Sequence, residues 1–247
     1  MKDNTWLTNK PIAHRGLFDN QTLPENSIPA FLNAIKHGFA IELDVQMTSD
    51  GTLVVFHDYN LLRMTSTKTD VASTTFTQLS KSSLLDTNCK IPTFDEMLQQ
   101  VDGKAELLIE IKSHKNIGVL ESKLASALDN YKGNFAIQSF DPRVIRWFKI
   151  NKPNYSRGLL ASNFKGVPLP WYQKLILKNL WLLSWSGSQF VSYDANSIET
   201  NNKVKRLKDK MPVLCWTVNT EEQRNKLCNY CDNIIFESFI PQKEDLS

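Results

Sequence analysis

The stretch IELDVQMTSDGTLVVFHD, Ile41 to Asp58, decides how this chain folds. Its two apolar halves flank Asp50-Gly51, the strongest short hairpin signal in the sequence, and no helix fits between them. A parallel pair would need a crossover of about a dozen residues. The two halves are therefore expected to pair antiparallel.

Working outward, runs rich in Ile and Val alternate with stretches of helical period, the pattern of a parallel sheet covered by helices. The strand candidates are PIAH, AIELDV, TLVVFH, ELLIEIK, FAIQS, SRGLLA, FVSYD, PVLCWTV and NIIFE. Thr93 with Glu96 and Thr220 with Gln223 fit capping boxes, and Asp141-Pro142 puts proline at a first helical position. Removing TLVVFH as the returning arm of the hairpin leaves enough strands for an α/β chain of the (β/α)8 TIM-barrel class, with a hairpin and a small cap insertion after strand 2. No Pro/Gly linker interrupts the repeats, so residues 1–247 are expected to form one domain, with 59–92 as the insertion.

The same hairpin has a consequence for chemistry. Counting six residues back from Asp50 reaches Asp44, and six forward from Gly51 reaches His57, so the turn is expected to return His57 beside Asp44. In such barrels catalytic groups gather at the C-terminal ends of strands. The ends of strands 1, 2 and 3 would then deliver His14 with Arg15, Glu42 with Asp44, and Glu110 with Lys112. Each i, i+2 pair points to one side of its strand.

Three carboxylates on one rim would repel and raise one another's pKa unless a cation neutralised them. A divalent metal is the simplest resolution, and oxygen-only ligands favour Mg²⁺, Ca²⁺ or Mn²⁺. Arg15 and Lys112 add donors suited to phosphate oxygens. His14 and His57 flank the site as a proton-transfer pair. Metal, cations and two histidines describe phosphoryl transfer better than acyl or hydride chemistry, and the chain has no GxSxG, Walker A or GxGxxG motif.

Composition limits the partners. The 247 residues carry a formal net charge of only +3 and no long basic block, so no nucleic-acid partner is expected. KVKRLKDK, Lys203 to Lys210, reads as a solvated helix face. The start lacks the apolar core of a secretory signal, which makes a cytoplasmic location the expectation. Four cysteines are too few for a disulfide scaffold, and CNYC alone is a weak metal signal. His37 suits the C-terminal end of a helix closed by Gly38, and His114 lies in a loop near the rim.

Taken together, AHRG, PENS, IELDV, TSDGTLVVFHD, LLRMT, IPTFDEML, IEIK, QSF and WTVN resemble the glycerophosphodiester phosphodiesterase family, within the phosphatidylinositol phospholipase C-like superfamily, in order and spacing. The resemblance implies metal-dependent hydrolysis of glycerophosphodiesters such as glycerophosphocholine to sn-glycerol 3-phosphate and an alcohol. Carried over by position, it implies His14 and His57 as acid and base, and Glu42, Asp44 and Glu110 as ligands of one divalent metal. Arg15 and Lys112 would contact phosphate. Glu25 and Asn26, from PENS, would support Arg15 or the loop, and Asp58 would orient His57. A lysophospholipase D or phospholipase C-like activity is the alternative, and a silent lipid-binding barrel a distant third.

The ending Phe236-Glu237-Ser238 departs from that family's Thr-Asp-x-Pro, and Phe236 is expected to alter the rim. Residues 59–92 look too small to enclose a long acyl chain. LPWYQKLILKNLWLLSW, residues 169–185, reads either as a barrel-covering helix or as an interfacial surface for lipid or a partner subunit through Trp171, Tyr172, Trp181 and Trp185.

Overall fold

The computed structural model describes residues 4–242. Nine strands run in the order β1 (Ile12–Ala13), β2 (Ala40–Met47), β3 (Leu53–Val55), β4 (Leu107–Ile111), β5 (Phe135–Ser139), β6 (Ser156–Ala161), β7 (Phe190–Asp194), β8 (Val213–Val218) and β9 (Asn233–Phe236). All but β3 pair in parallel, and β1 joins both β2 and β9, so eight strands close a TIM barrel as the alternation predicted. The β3 strand pairs antiparallel with β2 outside the ring.

Helices α1 (Trp6–Asn9), α2 (Ile28–His37), α3 (Leu62–Thr65), α4 (Phe76–Leu79), α5 (Phe94–Val101), α6 (Val119–Asp129), α7 (Pro142–Asn151), α8 (Trp171–Lys178), α9 (Leu183–Ser186), α10 (Asn202–Lys205) and α11 (Glu221–Leu227) fill the connections. Their starts follow local chemistry. Thr93 and Glu96 form the expected capping box, and Asp141 accepts from Arg143 N ahead of Pro142. At α11 only half the box forms: Thr220 accepts from Gln223 N, while the Gln223 side chain accepts from Asn219 N instead. His37 closes α2, whose C-cap Gly38 has φ 77°. None of the helices among the described residues is long and apolar enough to cross a membrane.

Strand alternation divides the interior in two. Outward side chains such as Ile41, Leu43, Ile109, Ile137, Val191 and Phe236 pack under the helices. Inward ones form a smaller plug of Ile12, Ala40, Leu108, Ala136, Phe190, Leu214 and Ile235, against which Trp6 and Leu7 pack. Phe236 is one of the outward set. It packs edge-on against Phe39 and Phe239, at ring distances of 4.9 and 5.6 Å, so its expected effect on the rim is not found.

The hairpin register differs from expectation by one residue. Val45 pairs with Val55 and Met47 with Leu53, leaving a turn over residues 48–52 centred on Asp50 rather than on the Asp50-Gly51 bond. Thr48 causes the difference: its Oγ1 accepts from Thr52 N and its N donates to Thr52 O. Asp44 consequently lies opposite Phe56, whose N donates to Asp44 O at 3.0 Å. Residues 59–92 pack over this hairpin through Leu61, Met64, Val71, Leu79, Leu84 and Ile91, which join Val54 and Phe56 in a small core of their own.

Candidate active site

Two residues beyond the seven apolar plug positions, every side chain but Trp216 is polar, while β6 keeps Leu160 at this level. Ile12, Ala40, Leu108, Ala136, Phe190, Leu214 and Ile235 are followed at i+2 by His14, Glu42, Glu110, Gln138, Ser192, Trp216 and Glu237. A period of two puts these on the same inner face. Asp44 and Lys112 lie one step higher on β2 and just past β4.

The three carboxylates Glu42, Asp44 and Glu110 converge, with oxygens within 4.8 Å of one another, and all three are buried. Burial and the neighbouring charges of Asp44 and Glu110 raise the Glu42 pKa well above its ordinary value. Burial pushes Asp44 the same way, but Lys112, His57 and Arg15 outweigh it and hold that carboxyl low. Lys112 Nζ sits 2.6 Å from Glu110 Oε1 and 2.8 Å from Asp44 Oδ1. Burial opposes its charge, yet these two carboxylates keep the ammonium protonated to higher pH than usual. Asp44 Oδ1 still lacks a hydrogen bond of good geometry. Three buried carboxylates converging on one point, with Asp44 Oδ1 held only by an ion pair to Lys112, form an oxygen-only donor set that fits a hard divalent cation.

The histidines stand beside this cluster in similar settings. His14 Nδ1 lies 2.7 Å from Glu237 Oε2, and its Nε2 lies 4.0 Å from Glu42 Oε2. Burial lowers the His14 pKa, the bond to Glu237 partly restores it, and Arg15 lowers it further. His57 Nδ1 lies 2.6 Å from Asp58 Oδ1. Despite the shifted register, His57 is near enough to Asp44 to help depress its pKa, because pairing ends at Val55 and the chain bends at His57. In each ring a carboxylate at Nδ1 leaves Nε2 as the nitrogen able to exchange a proton with a ligand.

The first loop is built by unusual backbone. Arg15, Gly16 and Asn26 have φ of 55°, 81° and 55°. Arg15 N donates to Glu42 Oε2, and Asn26 N donates to Arg15 O. The Asn26 amide donates to Asp44 Oδ2 at 2.8 Å, fixing that carboxylate. Arg15 Nη1 donates to Glu25 Oε1 at 2.8 Å, and its Nε lies 3.6 Å from Asp44 Oδ2. A Cβ on Gly16 would meet Phe31 Cδ1 at 2.9 Å and the Ala30 carbonyl carbon at 3.0 Å, in a backbone conformation that L side chains rarely adopt. Gly16→Ala is expected to destabilise the fold by more than about 1 kcal/mol. Thermal unfolding checks this, and an unchanged midpoint would refute it.

Two participants escaped the sequence reading. Glu237 was visible only as a departure in the chain's ending, although the i+2 rule applied to β9 points to it. Arg63, within LLRMT, donates to Asp58 Oδ2 at 2.6 Å and to Glu25 Oε1 at 2.6 Å. It thereby ties the loop holding Arg15 to the residue holding His57. His114, by contrast, is half-buried with Nε2 lacking a partner among the described residues, and nothing connects it to the cluster.

Of these groups His57, Asp58, Arg63, Glu110 and Lys112, with Tyr59 and Phe140, line a cavity of about 670 Å³. Residues 169–185 do not form one barrel-covering helix. They divide into α8 and α9, and α8 has no fully buried residue, leaving Trp171 75% and Tyr172 49% exposed.

Residues 14–236 match the sequence model of the "Glycerophosphoryl diester phosphodiesterase family". A glycerophosphodiester phosphodiesterase of Caldanaerobacter subterraneus is 35% identical over 179 residues, covering 66% of this chain and 70% of the relative. One from Bacillus altitudinis is 27% identical over 242 residues, covering 93% and 94%. Among solved structures, an Oleispira antarctica phosphodiesterase in complex with its product sn-glycerol-3-phosphate shares the fold with a TM-score of 0.77 at 22% identity, over 94% of each chain.

Proposed function

The chain belongs to the glycerophosphoryl diester phosphodiesterase family and is an enzyme of that class; from that premise we propose that it hydrolyses glycerophosphodiesters such as glycerophosphocholine or glycerophosphoethanolamine to sn-glycerol 3-phosphate and an alcohol. The observation that carries this reading is the pair of imidazoles, each bound at Nδ1 by a carboxylate, beside three converging carboxylates.

Glu42, Asp44 and Glu110 would hold a divalent cation, magnesium, calcium or manganese. When bound it supplies positive charge that makes a ligated hydroxyl more acidic and stabilises charge developing on phosphate oxygens. Asn26 fixes Asp44 for that role, and Lys112 keeps the cluster tolerable when it carries excess negative charge. Arg15, oriented by Glu25, offers its guanidinium to a phosphate oxygen.

The substrate's glycerol 2-hydroxyl attacks phosphorus. One histidine takes its proton while the other gives a proton to the oxygen of the departing alcohol. A cyclic glycerol phosphate remains, and water opens it with the histidines in reversed roles, yielding glycerol 3-phosphate. Glu237 and Asp58 keep each ring oriented and stabilise it when protonated.

The test follows glycerol 3-phosphate release from glycerophosphocholine with and without a chelator. Release is expected to fall to background in the chelator and to return when Mg²⁺, Ca²⁺ or Mn²⁺ is added back. Release that survives the chelator undiminished removes the metal from the mechanism, and no release under any condition removes the substrate assignment.

A further inference from the structure

Residues 142–193 hold eight Lys or Arg and no Asp or Glu, in a chain whose whole formal charge is only +3. The remainder is therefore net negative, and the positive charge is gathered on α7, α8 and the connections around them. Arg143 and Lys152 are committed to Asp141 and Asp129, and Arg157 is buried. Arg146, Lys149, Lys165, Lys174 and Lys178 have no carboxylate partner among the described residues. Like charges left without counter-charges repel one another, a cost that a partner of opposite sign removes.

The same flank of the barrel exposes Trp171, Tyr172, Leu175, Trp181 and Trp185. Apolar and cationic side chains interleave there. On α8, Trp171 and Leu175 lie one turn apart, as do Lys174 and Lys178, so each apolar residue has a lysine three positions on. At α9, Arg146 Nη1 donates to the Trp185 carbonyl oxygen at 3.0 Å, with its guanidinium 4.6 Å from a Trp185 ring centre. Lys149 Nζ donates to the Ser184 carbonyl oxygen at 3.3 Å. These contacts bring the cations of α7 to the surface that carries the tryptophans.

We propose that this flank, α8 and α9 with the exposed side of α7, docks on the surface of a bilayer rich in anionic phospholipid. The pattern of residues 169–185 alone left lipid and a partner subunit open, and the unpaired cations decide between them. A second copy of the chain meeting the same face would set like charges against each other. Nucleic-acid phosphates would answer the lysines but offer Leu175 no apolar medium. An anionic headgroup layer meets the cations, and the acyl boundary beneath it receives the exposed rings. The eight residues of α8 extend only about 12 Å, so the helix lies in the interface and does not span it. Val167 and Trp185 also line a cavity that shares Tyr59 and Phe140 with the polar one, so docking sets the polar site beside the bilayer. The proposal does not depend on which diester that site cleaves.

Vesicles test it without turnover. In co-sedimentation, the chain should bind vesicles of phosphatidylcholine mixed with an equal amount of phosphatidylglycerol far more tightly than phosphatidylcholine alone. The difference should shrink as NaCl rises from about 0.05 to about 0.5 M and screens the charges. Lys174→Gln with Lys178→Gln should weaken binding about fivefold per lysine. Trp171→Ala with Trp181→Ala should weaken it by about tenfold or more and reduce the blue shift of tryptophan emission on the mixed vesicles. Lys36→Gln with Lys104→Gln, exposed lysines on other helices and loops, should leave binding unchanged. Thermal unfolding confirms that each variant folds.

Equal binding to both kinds of vesicle, an equal loss in the Lys36 and Lys104 pair, or no loss in either α8 variant overturns the proposal. A dimer that the two tryptophan substitutions dissociate assigns the face to a second copy and overturns it as well. So does a single-stranded oligonucleotide that binds where vesicles do not.

Discussion

His14→Ala lowers kcat for glycerophosphocholine hydrolysis by about 10²- to 10⁴-fold, the usual contribution of a positioned acid or base. The expectation follows from the ring's place: Nδ1 engaged by Glu237 at 2.7 Å and Nε2 facing the carboxylate cluster. KM should move far less than kcat, because an interaction made only in the transition state is lost. His57→Ala should cost a similar amount. Steady-state kinetics on protein shown to be folded by thermal unfolding decide the matter, and a loss under tenfold for either variant would remove that histidine from proton transfer.

Glu237→Gln should cost less than His14→Ala. The amide can still touch Nδ1, but it no longer offers a carboxylate to stabilise the imidazolium. A loss as large as that of His14→Ala would refute that ordering and mean that the carboxylate is needed to fix which ring nitrogen of His14 carries the proton.

The parts of this site that were legible in the sequence share one cause. His14, Glu42 with Asp44, and Glu110 with Lys112 lie at the ends of strands whose alternation is unmistakable, and a period of two converts each spacing into a shared face. The hairpin was legible for a similar reason, since Asp-Gly leaves no length for a helix. Its register was not: the two-residue turn implied by Asp50-Gly51 gave way to the Thr48–Thr52 closure, a side-chain preference that strand patterning does not encode. Glu237 stayed hidden because its partner is 223 residues away and meets it only when β9 closes against β1. Arg63 stayed hidden because its two acceptors belong to separate loops. Phe236 was misread for want of parity: with Ile235 inward, Phe236 faces the helices and Glu237 the lumen.

Glu42→Gln is expected to move stability in opposite directions with and without metal. In the folded chain, burial and the charges of Asp44 and Glu110 hold the Glu42 pKa above its ordinary 4.5. Below that ordinary value the carboxyl is neutral in both folded and unfolded chains and costs nothing. As pH rises, the unfolded chain ionises first, so on this group's account stability falls until the folded pKa is passed. Glutamine removes the cost, and the metal-free variant should be more stable than the wild type at neutral pH by about 1–3 kcal/mol, the scale of an uncompensated buried polar group. For a chain of this length that is about 2–4 °C per kcal/mol in Tm. Added Mg²⁺, Ca²⁺ or Mn²⁺ should reverse the order, because a cation binding only the folded wild type at about 1,000 times its Kd contributes about 4.1 kcal/mol. The variant has lost one of three ligands and should respond weakly. Thermal unfolding of both proteins with chelator and with cation tests the crossing. If the two midpoints rise equally on adding the cation, or the wild type does not respond at all, Glu42 is not a metal ligand and its burial beside Asp44 needs another explanation.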